Sequence, residues 1–104
     1  MNGYIRGSVM KGGLPYDKGA IVFATTYAGT FPSTIPNTVL SGYRTYSTIT
    51  ETDGSYNLKV ATGVGNYKIY VFSPDNPAAP ITVDVAAGQP ASGTTATAPV
   101  VVIP

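Results

Sequence analysis

Glu51, Asp53 and Ser55 form the densest group of oxygen ligands in the sequence. Two carboxylates and a hydroxyl suit Ca²⁺, but this cation takes about six to eight oxygens and usually several carboxylates. Together with Gly54 the same residues also suit a tight turn, in which an Asp carboxylate accepts a hydrogen bond from a nearby backbone N–H. We therefore interpret this stretch as a turn and predict no metal site.

Groups that could perform catalysis are scarce. The sequence has no histidine and no cysteine, which removes the imidazole base, the thiolate nucleophile and the commonest ligands of zinc, iron and copper. Its five acidic residues are spread along the chain, whereas general acid–base catalysis needs groups that converge on one pocket. We predict that the protein is not an enzyme and has neither catalytic residues nor a cofactor.

The eight tyrosines are the side chains best suited to bind a partner. Tyrosine is enriched at protein interfaces, and its flat ring can stack on a sugar. The alternative is that an outward tyrosine only packs against its neighbour on the next strand. Alternation along the predicted strands turns Tyr56 and Tyr67 inward, and Tyr4 and Tyr70 outward. The predicted ligand contacts, with a glycan as the candidate partner, are Tyr27, Tyr43 and Tyr46.

Short β-rich runs separated by turn residues fill the chain, and no window keeps the apolar spacing of a helix. The sequence therefore predicts an all-β protein. Two segments, residues 27–43 and 73–80, are predicted to be irregular because they are rich in Gly, Pro and Asn. The predicted strands are residues 4–10, 20–26, 45–50, 56–60, 67–73, 81–85 and 100–103.

Two of these strands are apolar on both faces. Ile21 and Phe23 point away from the core face of one strand, and Tyr70 and Phe72 point away from that of another. Such a patch is too apolar for a lone soluble monomer unless another part of the chain covers it. We predict an interface with other protein subunits at these four residues.

The C-terminal part of the chain differs in composition from the rest. Residues 86–99 are rich in Ala, Gly, Thr and Pro, and we expect a flexible linker that joins a core at residues 4–85 to a final strand. That strand does not alternate, so we expect burial on both faces, with pairing to its own sheet favoured over pairing to a neighbouring subunit. Its residues, also predicted to lie at an interface, are Val100, Val101, Val102 and Ile103.

Length and charge bound the remaining choices. A chain of 104 residues makes one domain with a modest core. Only 11% of the residues are charged, and the net charge is +1. The charged residues are scattered along the chain and form no basic cluster, so nucleic acid is not an expected partner. No apolar run approaches the roughly 20 residues of a membrane span, so membrane insertion is not expected. The expected partners are protein subunits, in a homo-oligomer or a larger assembly.

Five short motifs follow one another in the order of a known module. They are IRGSV at residues 5–9, GLP at 13–15, GAIV at 19–22, TDGSYNL at 52–58 and GNYKI at 65–69. This order resembles the carboxypeptidase regulatory-like domains over residues 4–85, and the chain is also similar to the N-terminal domains of prophage tail fibres. The resemblance implies a single Ig-like or prealbumin-like antiparallel β-sandwich of about seven strands.

Pilin-type relatives of that family join a lysine to an asparagine through an isopeptide bond that a buried acid promotes. Lys11 stands where the resemblance places the lysine. The strand that would carry the acid reads YKIYVF at residues 67–72, and no asparagine follows Asn76. We therefore predict that this bond does not form.

The favoured hypothesis is a non-catalytic structural module of a surface assembly. It would be a phage virion component, such as a fibre or decoration protein, or a secreted cell-surface protein, and its location would be the virion, the cell surface or the extracellular space. The alternatives are a carbohydrate-binding or adhesion module and an accessory domain of a secreted hydrolase. A stable oligomer would favour assembly, and a monomer retained on a polysaccharide column would favour carbohydrate binding.

Overall fold

The computed structural model describes residues 2–26 and 45–104, which form nine β-strands in two packed sheets. Within these ranges there is no helix long and apolar enough to cross a membrane. The strands are β1 (Asn2–Lys11), β2 (Leu14–Pro15), β3 (Ile21–Thr25), β4 (Thr45–Ile49), β5 (Ser55–Ala61), β6 (Lys68–Ser73), β7 (Asn76–Asp84), β8 (Thr95–Thr97) and β9 (Val101–Ile103).

The first sheet, sheet I, is built around β1. One side of β1 pairs antiparallel with β5 and, at its end, with the short β2. The hydrogen bonds of Val9 show that β2 and β5 lie on the same side of β1. The Val9 N–H donates to the Gly54 carbonyl, and the Val9 carbonyl accepts from the Tyr16 N–H. The other side of β1 pairs in parallel first with β8 and then with β9. A strand from the end of the chain thus completes the sheet that the first strand begins.

The second sheet, sheet II, has the order β4-β3-β6-β7, and every neighbouring pair is antiparallel. Its inner face packs on the inner face of sheet I. The predicted inward positions on β5 and β6 are confirmed, since Tyr56, Leu58, Val60, Ile69 and Val71 are all buried in the shared core. The predicted all-β sandwich is therefore present.

A glycine makes room for one of these core aromatics. Gly7 on β1 pairs directly with Tyr56 on β5. A Cβ at Gly7 would lie 2.6 Å from Cζ of the Tyr56 ring and still closer to its hydroxyl oxygen. The ring therefore lies across the strand where a side chain would otherwise stand.

The prediction of a flexible linker at residues 86–99 is wrong. This segment contains β8, and Pro90, Ala96 and Ala98 are buried. Its backbone is bonded to β1 at both ends, since Ala98 N–H donates to the Arg6 carbonyl at 2.8 Å and Gly93 N–H donates to Asn2 at 2.8 Å. The Gln89–Pro90 peptide bond is cis. Small side chains signal flexibility in isolation, but here they are the size that fits closely against β1.

Two further details differ from the sequence-based expectations. β7 begins at Asn76, inside the segment predicted to be irregular, and contains Pro77 and Pro80. Within the described chain β7 pairs only with β6, so a proline that lacks an N–H can stand at the open edge of the sheet. The sandwich has nine strands in the described ranges instead of about seven, and two of its pairings are parallel.

Candidate functional site

The outer face of sheet II brings together the four predicted interface residues of β3 and β6. Ile21 pairs with Phe72, and Phe23 pairs with Tyr70. The rings of Phe23 and Phe72 meet edge to face, with centroids 5.7 Å apart. Alternation along two neighbouring strands is the physical cause, since Val22 and Ile69 take the opposite, inner positions.

Exposure differs sharply among these residues. Ile21 is 44% exposed, Phe23 and Phe72 are half-buried, and Tyr70 is only 1% exposed. Tyr70 thus faces outward as predicted but offers almost no surface to a partner, and the expectation of an exposed tyrosine here is wrong. The pleat of the strand sets which way Tyr70 points, whereas its burial depends on what lies above the sheet.

Sequence reasoning missed Ile49 on the same face. This residue of β4 pairs with Ile21 and is 63% exposed. Alternation along β4 puts Ile49 on the same face as Thr45 and Ser47. Once β4 is paired with β3, that face is the outer face of sheet II. We call Ile21, Phe23, Ile49, Tyr70 and Phe72 the aromatic face.

The C-terminal strand pairs with its own chain, as the sequence analysis favoured. Its four apolar residues alternate strictly, contrary to the expectation of burial on both faces: Val101 and Ile103 are 1% exposed, whereas Val100 and Val102 are 51% and 61% exposed. Val101 lies beside Val9 of β1 and enters the core. The outer face is open because, in the described chain, nothing packs over this corner of sheet I.

A one-residue bulge sets this alternation. From Arg6 to Val9 the strand β1 advances three residues, while its partner advances four, from Thr97 to Val101. The extra residue lets both Ala98 and Val101 point into the core. Without that bulge the final strand would present its other face to the core.

Other apolar groups, one half-buried and one exposed, lie at the same end of sheet I. Met10 is the neighbour of Val102 on one side and of Pro15 on the other. Leu14, in the adjacent turn, is 68% exposed. Sequence reasoning treated this turn only as a connection, so it missed these residues. We call Met10, Leu14, Val100 and Val102 the C-terminal strip.

Tyr46, one of the three predicted ligand contacts, is half-buried. The side chain packs against the core, and its hydroxyl accepts a hydrogen bond from Ala61 N–H at 3.1 Å. Its ring lies 6.3 Å from that of Tyr67, whose hydroxyl donates to the Ala61 carbonyl at 2.7 Å. The two tyrosines together hold the end of β5. The other two predicted contacts, Tyr27 and Tyr43, lie outside the described residues.

The turn before β5 uses its oxygen ligands internally. Asp53 accepts a hydrogen bond from Ser55 N–H at 3.0 Å and from the Ser55 hydroxyl at 2.6 Å, and these bonds hold the pKa of Asp53 below its usual value. Gly54 has a φ of +79°, which favours glycine. No group of three or more metal-binding side chains occurs among the described residues. This stretch builds the turn that connects β4 of sheet II to β5 of sheet I.

Lys11 and Lys18 lie at the same end of the molecule. Lys11 Nζ donates to the Pro104 carbonyl at 2.5 Å, whereas Lys18 Nζ lies 3.0 Å from Oδ1 of Asp75. The hydrogen bond from Lys18 is the largest cause of a lowered pKa at Asp75, with a further contribution from Tyr16. Tyr16 also accepts a hydrogen bond from the Ser73 hydroxyl at 2.8 Å. These contacts fasten the loop before β3 to the β6–β7 turn.

A polar groove of about 410 Å³ lies between the edge strand β4 of sheet II and the outer face of sheet I. Arg6 and Glu51 line it and form no ion pair within the described chain. Glu51 is the one carboxylate in the lining, so the groove lacks the pair of acids that general acid–base catalysis of hydrolysis commonly uses. The other residues that line it are Thr48, Ile49, Ser55, Tyr56, Asn57 and Thr95.

Comparison with protein-family models, with curated proteins and with solved structures gives no match to this chain. The resemblance to carboxypeptidase regulatory-like domains and to prophage tail fibre domains therefore stays a prediction.

Proposed function

We propose that the protein is a non-catalytic structural module that assembles with protein subunits through exposed apolar side chains. The observation that carries the proposal is the exposure of branched aliphatic residues on both outer faces of the sandwich: Ile21 and Ile49 on sheet II, and Val100 and Val102 on sheet I. Exposed apolar side chains that cluster, instead of lying singly, mark surfaces that become buried in an assembly.

The composition supports the same proposal. Only 11% of the residues are charged, so few charges have to be desolvated when two subunits meet. In the resemblance to prophage tail fibre domains, the assembly would be a virion. A secreted cell-surface structure would make the same use of a small uncharged sandwich.

A second candidate function, carbohydrate binding, is favoured by the polar groove. Its lining combines guanidinium, carboxylate, amide and hydroxyl groups, which can donate to and accept from the hydroxyls of a sugar. The groove does not include the aromatic ring of Tyr46, which packs against the core. An accessory domain of a secreted hydrolase would use the same groove.

Sedimentation velocity over a range of protein concentrations tests the assembly proposal. We expect self-association that increases with protein concentration. Either the pair Ile21→Lys and Ile49→Lys or the pair Val100→Lys and Val102→Lys should weaken it. All four side chains are exposed, so the folded state should tolerate these substitutions. A protein that stays monomeric at every concentration and is retained on a polysaccharide column would contradict assembly and support carbohydrate binding. Arg6→Ala is then the variant that should abolish retention.

A further inference from the structure

We infer that β9 is the pairing edge for a second copy of this chain, and that two copies join sheet I into one continuous sheet through antiparallel β9–β9 pairing. This inference rests on the proposed assembly function and specifies its partner and geometry. It follows from the open backbone groups of β9, the absence of charged residues within β9 itself and the exposed valines that it carries.

The open backbone groups follow from the ladder around β1. Val9 directs its N–H and C=O toward β5 and β2, so the next residue, Met10, directs its own toward β9. Met10 is the direct neighbour of Val102, and in a parallel ladder its bonds reach the residues on either side of that neighbour. The N–H and C=O of Val102 therefore point away from β1, and in the described chain no strand pairs with that side.

The edge also lacks the usual protection against pairing. Proteins commonly place charged side chains on an open edge strand. The edge strand β5 carries Lys59 and the edge strand β7 carries Asp84, but residues 85–104 contain no charged residue. The edge strand β4 is also uncharged, but apart from Ile49 its outward residues are polar. Pro99 and Pro104 flank the strand and limit the pairing to the four residues between them.

A second copy of the same strand is the occupant that fits best. Two identical neutral strands pair without like-charge repulsion, and a two-fold axis closes the pair so that assembly stops at a dimer. Val102 is 61% exposed and Val100 is 51% exposed, and both lie on the outer face. In the paired sheet they would contact the same valines of the other copy and bury surface that a monomer leaves in water.

The pleat restricts the register of this pairing. Directly opposite residues in an antiparallel sheet share a face, and only residues whose N–H and C=O point to the open edge can exchange both hydrogen bonds. Val102 therefore lies opposite either Val102 or Val100 of the other copy. Opposite residues of this kind have Cα atoms about 5.5 Å apart, which is within the range of a disulfide.

Cysteine cross-linking tests the inference directly, because the natural chain has no cysteine. We expect that Val102→Cys alone, or an equal mixture of Val100→Cys and Val102→Cys chains, forms a disulfide-linked dimer on mild oxidation. Ile21→Cys is the matched control, since it is an exposed β-branched position on the other sheet. Cross-linking of both samples no greater than that of the control would overturn β9 pairing.

Association measurements separate this inference from the proposed function. We expect Val102→Lys to weaken dimerisation at least about tenfold, with an unchanged thermal midpoint of the monomer, and Ile21→Lys to leave dimerisation intact. If Ile21→Lys and Ile49→Lys disrupt an assembly that Val102→Lys leaves intact, the assembly function stands and β9 pairing is wrong. If the unmodified chain stays monomeric up to about 1 mM, both ideas fail.

Discussion

Tyr4 and Tyr70 occupy comparable places on the outer faces of the two sheets, yet their surroundings differ. Tyr4, on sheet I, is 39% exposed, while Tyr70, on sheet II, is almost completely buried. Both point away from the shared core, as alternation along their strands requires. Tyr4 lies beside Lys59 and Thr95, whereas Tyr70 lies beside Phe23 and Thr82.

The difference shows that direction and burial are separate properties of a strand residue. Direction is local, because the period of the backbone sets it. Burial is tertiary, because it depends on whether another part of the chain lies over that face. The outer face of sheet I is largely polar and stays in water, except at the C-terminal strip, whereas the outer face of sheet II carries a tyrosine that is almost completely buried.

The two sheets also differ in how their strands are recruited. Sheet II is a set of antiparallel neighbours, whereas sheet I depends on two short parallel strands from the end of the chain. Val101 and Ile103 supply two buried side chains to the core beside β1. Sheet I should therefore be the more sensitive of the two to truncation.

Deletion of residues 99–104 is the strongest test of that asymmetry. It removes β9 and its two buried side chains, and we expect the free energy of unfolding to fall by at least about 4 kcal/mol, a large part of the total for a domain of this size. Urea denaturation of the monomer measures the loss. Val102→Ala is the control, because its side chain is exposed, and it should change stability by less than about 0.5 kcal/mol. A truncated chain with unchanged stability would show that β9 contributes only a tail.

Tyr70→Ala and Tyr4→Ala test whether the two outer faces differ as described. We expect Tyr70→Ala to lower the free energy of unfolding by about 3–5 kcal/mol, as truncation of a buried aromatic does, and Tyr4→Ala by less than about 1 kcal/mol. Denaturant midpoints of the two variants at equal protein concentration make the comparison. Equal, small losses would contradict the burial of Tyr70.

Gly7→Ala addresses the inner face of sheet I. A methyl group at this position would collide with the Tyr56 ring, so the ring must move and the core must repack. We expect a loss of about 1–3 kcal/mol by thermal or chemical unfolding. The control is Ser8→Ala, which lies on the same strand and faces outward. A substitution at Gly12 would be unsuitable, because the positive φ of Gly12 would strain any other residue. If Gly7→Ala and Ser8→Ala cost the same, the ring does not depend on the glycine.

Tyr56→Phe should have the smallest effect at neutral pH, and in the stabilising direction. The Tyr56 hydroxyl is buried and has no hydrogen-bond partner among the described residues, so its removal should raise the free energy of unfolding by about 1 kcal/mol. A clear loss of stability on removing the hydroxyl would show that it is hydrogen-bonded after all.

Tyr56→Phe should also change how the free energy of unfolding falls at alkaline pH. Burial raises the pKa of Tyr56 to about 12 from 10.0, so the unfolded chain loses this proton first. The folded state therefore loses stability as the pH rises from 10 toward 12, and the contribution is fully retained below pH 10. Tyr56→Phe should remove this part of the decline, which urea denaturation at pH values from about 9 to 12 would measure.

The strands near β1, β3, β5 and β6 could be predicted because each alternates and ends at turn residues, as Asp53 and Gly54 do before β5. The inward positions of Tyr56 and Tyr67 follow from the same rule. Tyr46 could not be placed, because its role depends on Ala61, which lies on a different strand. Ile49 belongs to the aromatic face and Met10 to the C-terminal strip only because strand pairing puts them beside Ile21 and Val102 respectively.

The sequence by itself determined the all-β class, the direction of most strand residues and the turn at Asp53 and Gly54, because strand period and turn chemistry act over a few residues. The tertiary structure decided what residues 86–104 do. Their small and β-branched side chains fit either a linker or a strand, and only the free side of β1, more than 80 residues away in the chain, makes them β8 and β9. Pairing between distant segments depends on which surfaces the rest of the fold leaves open, and no local pattern encodes that.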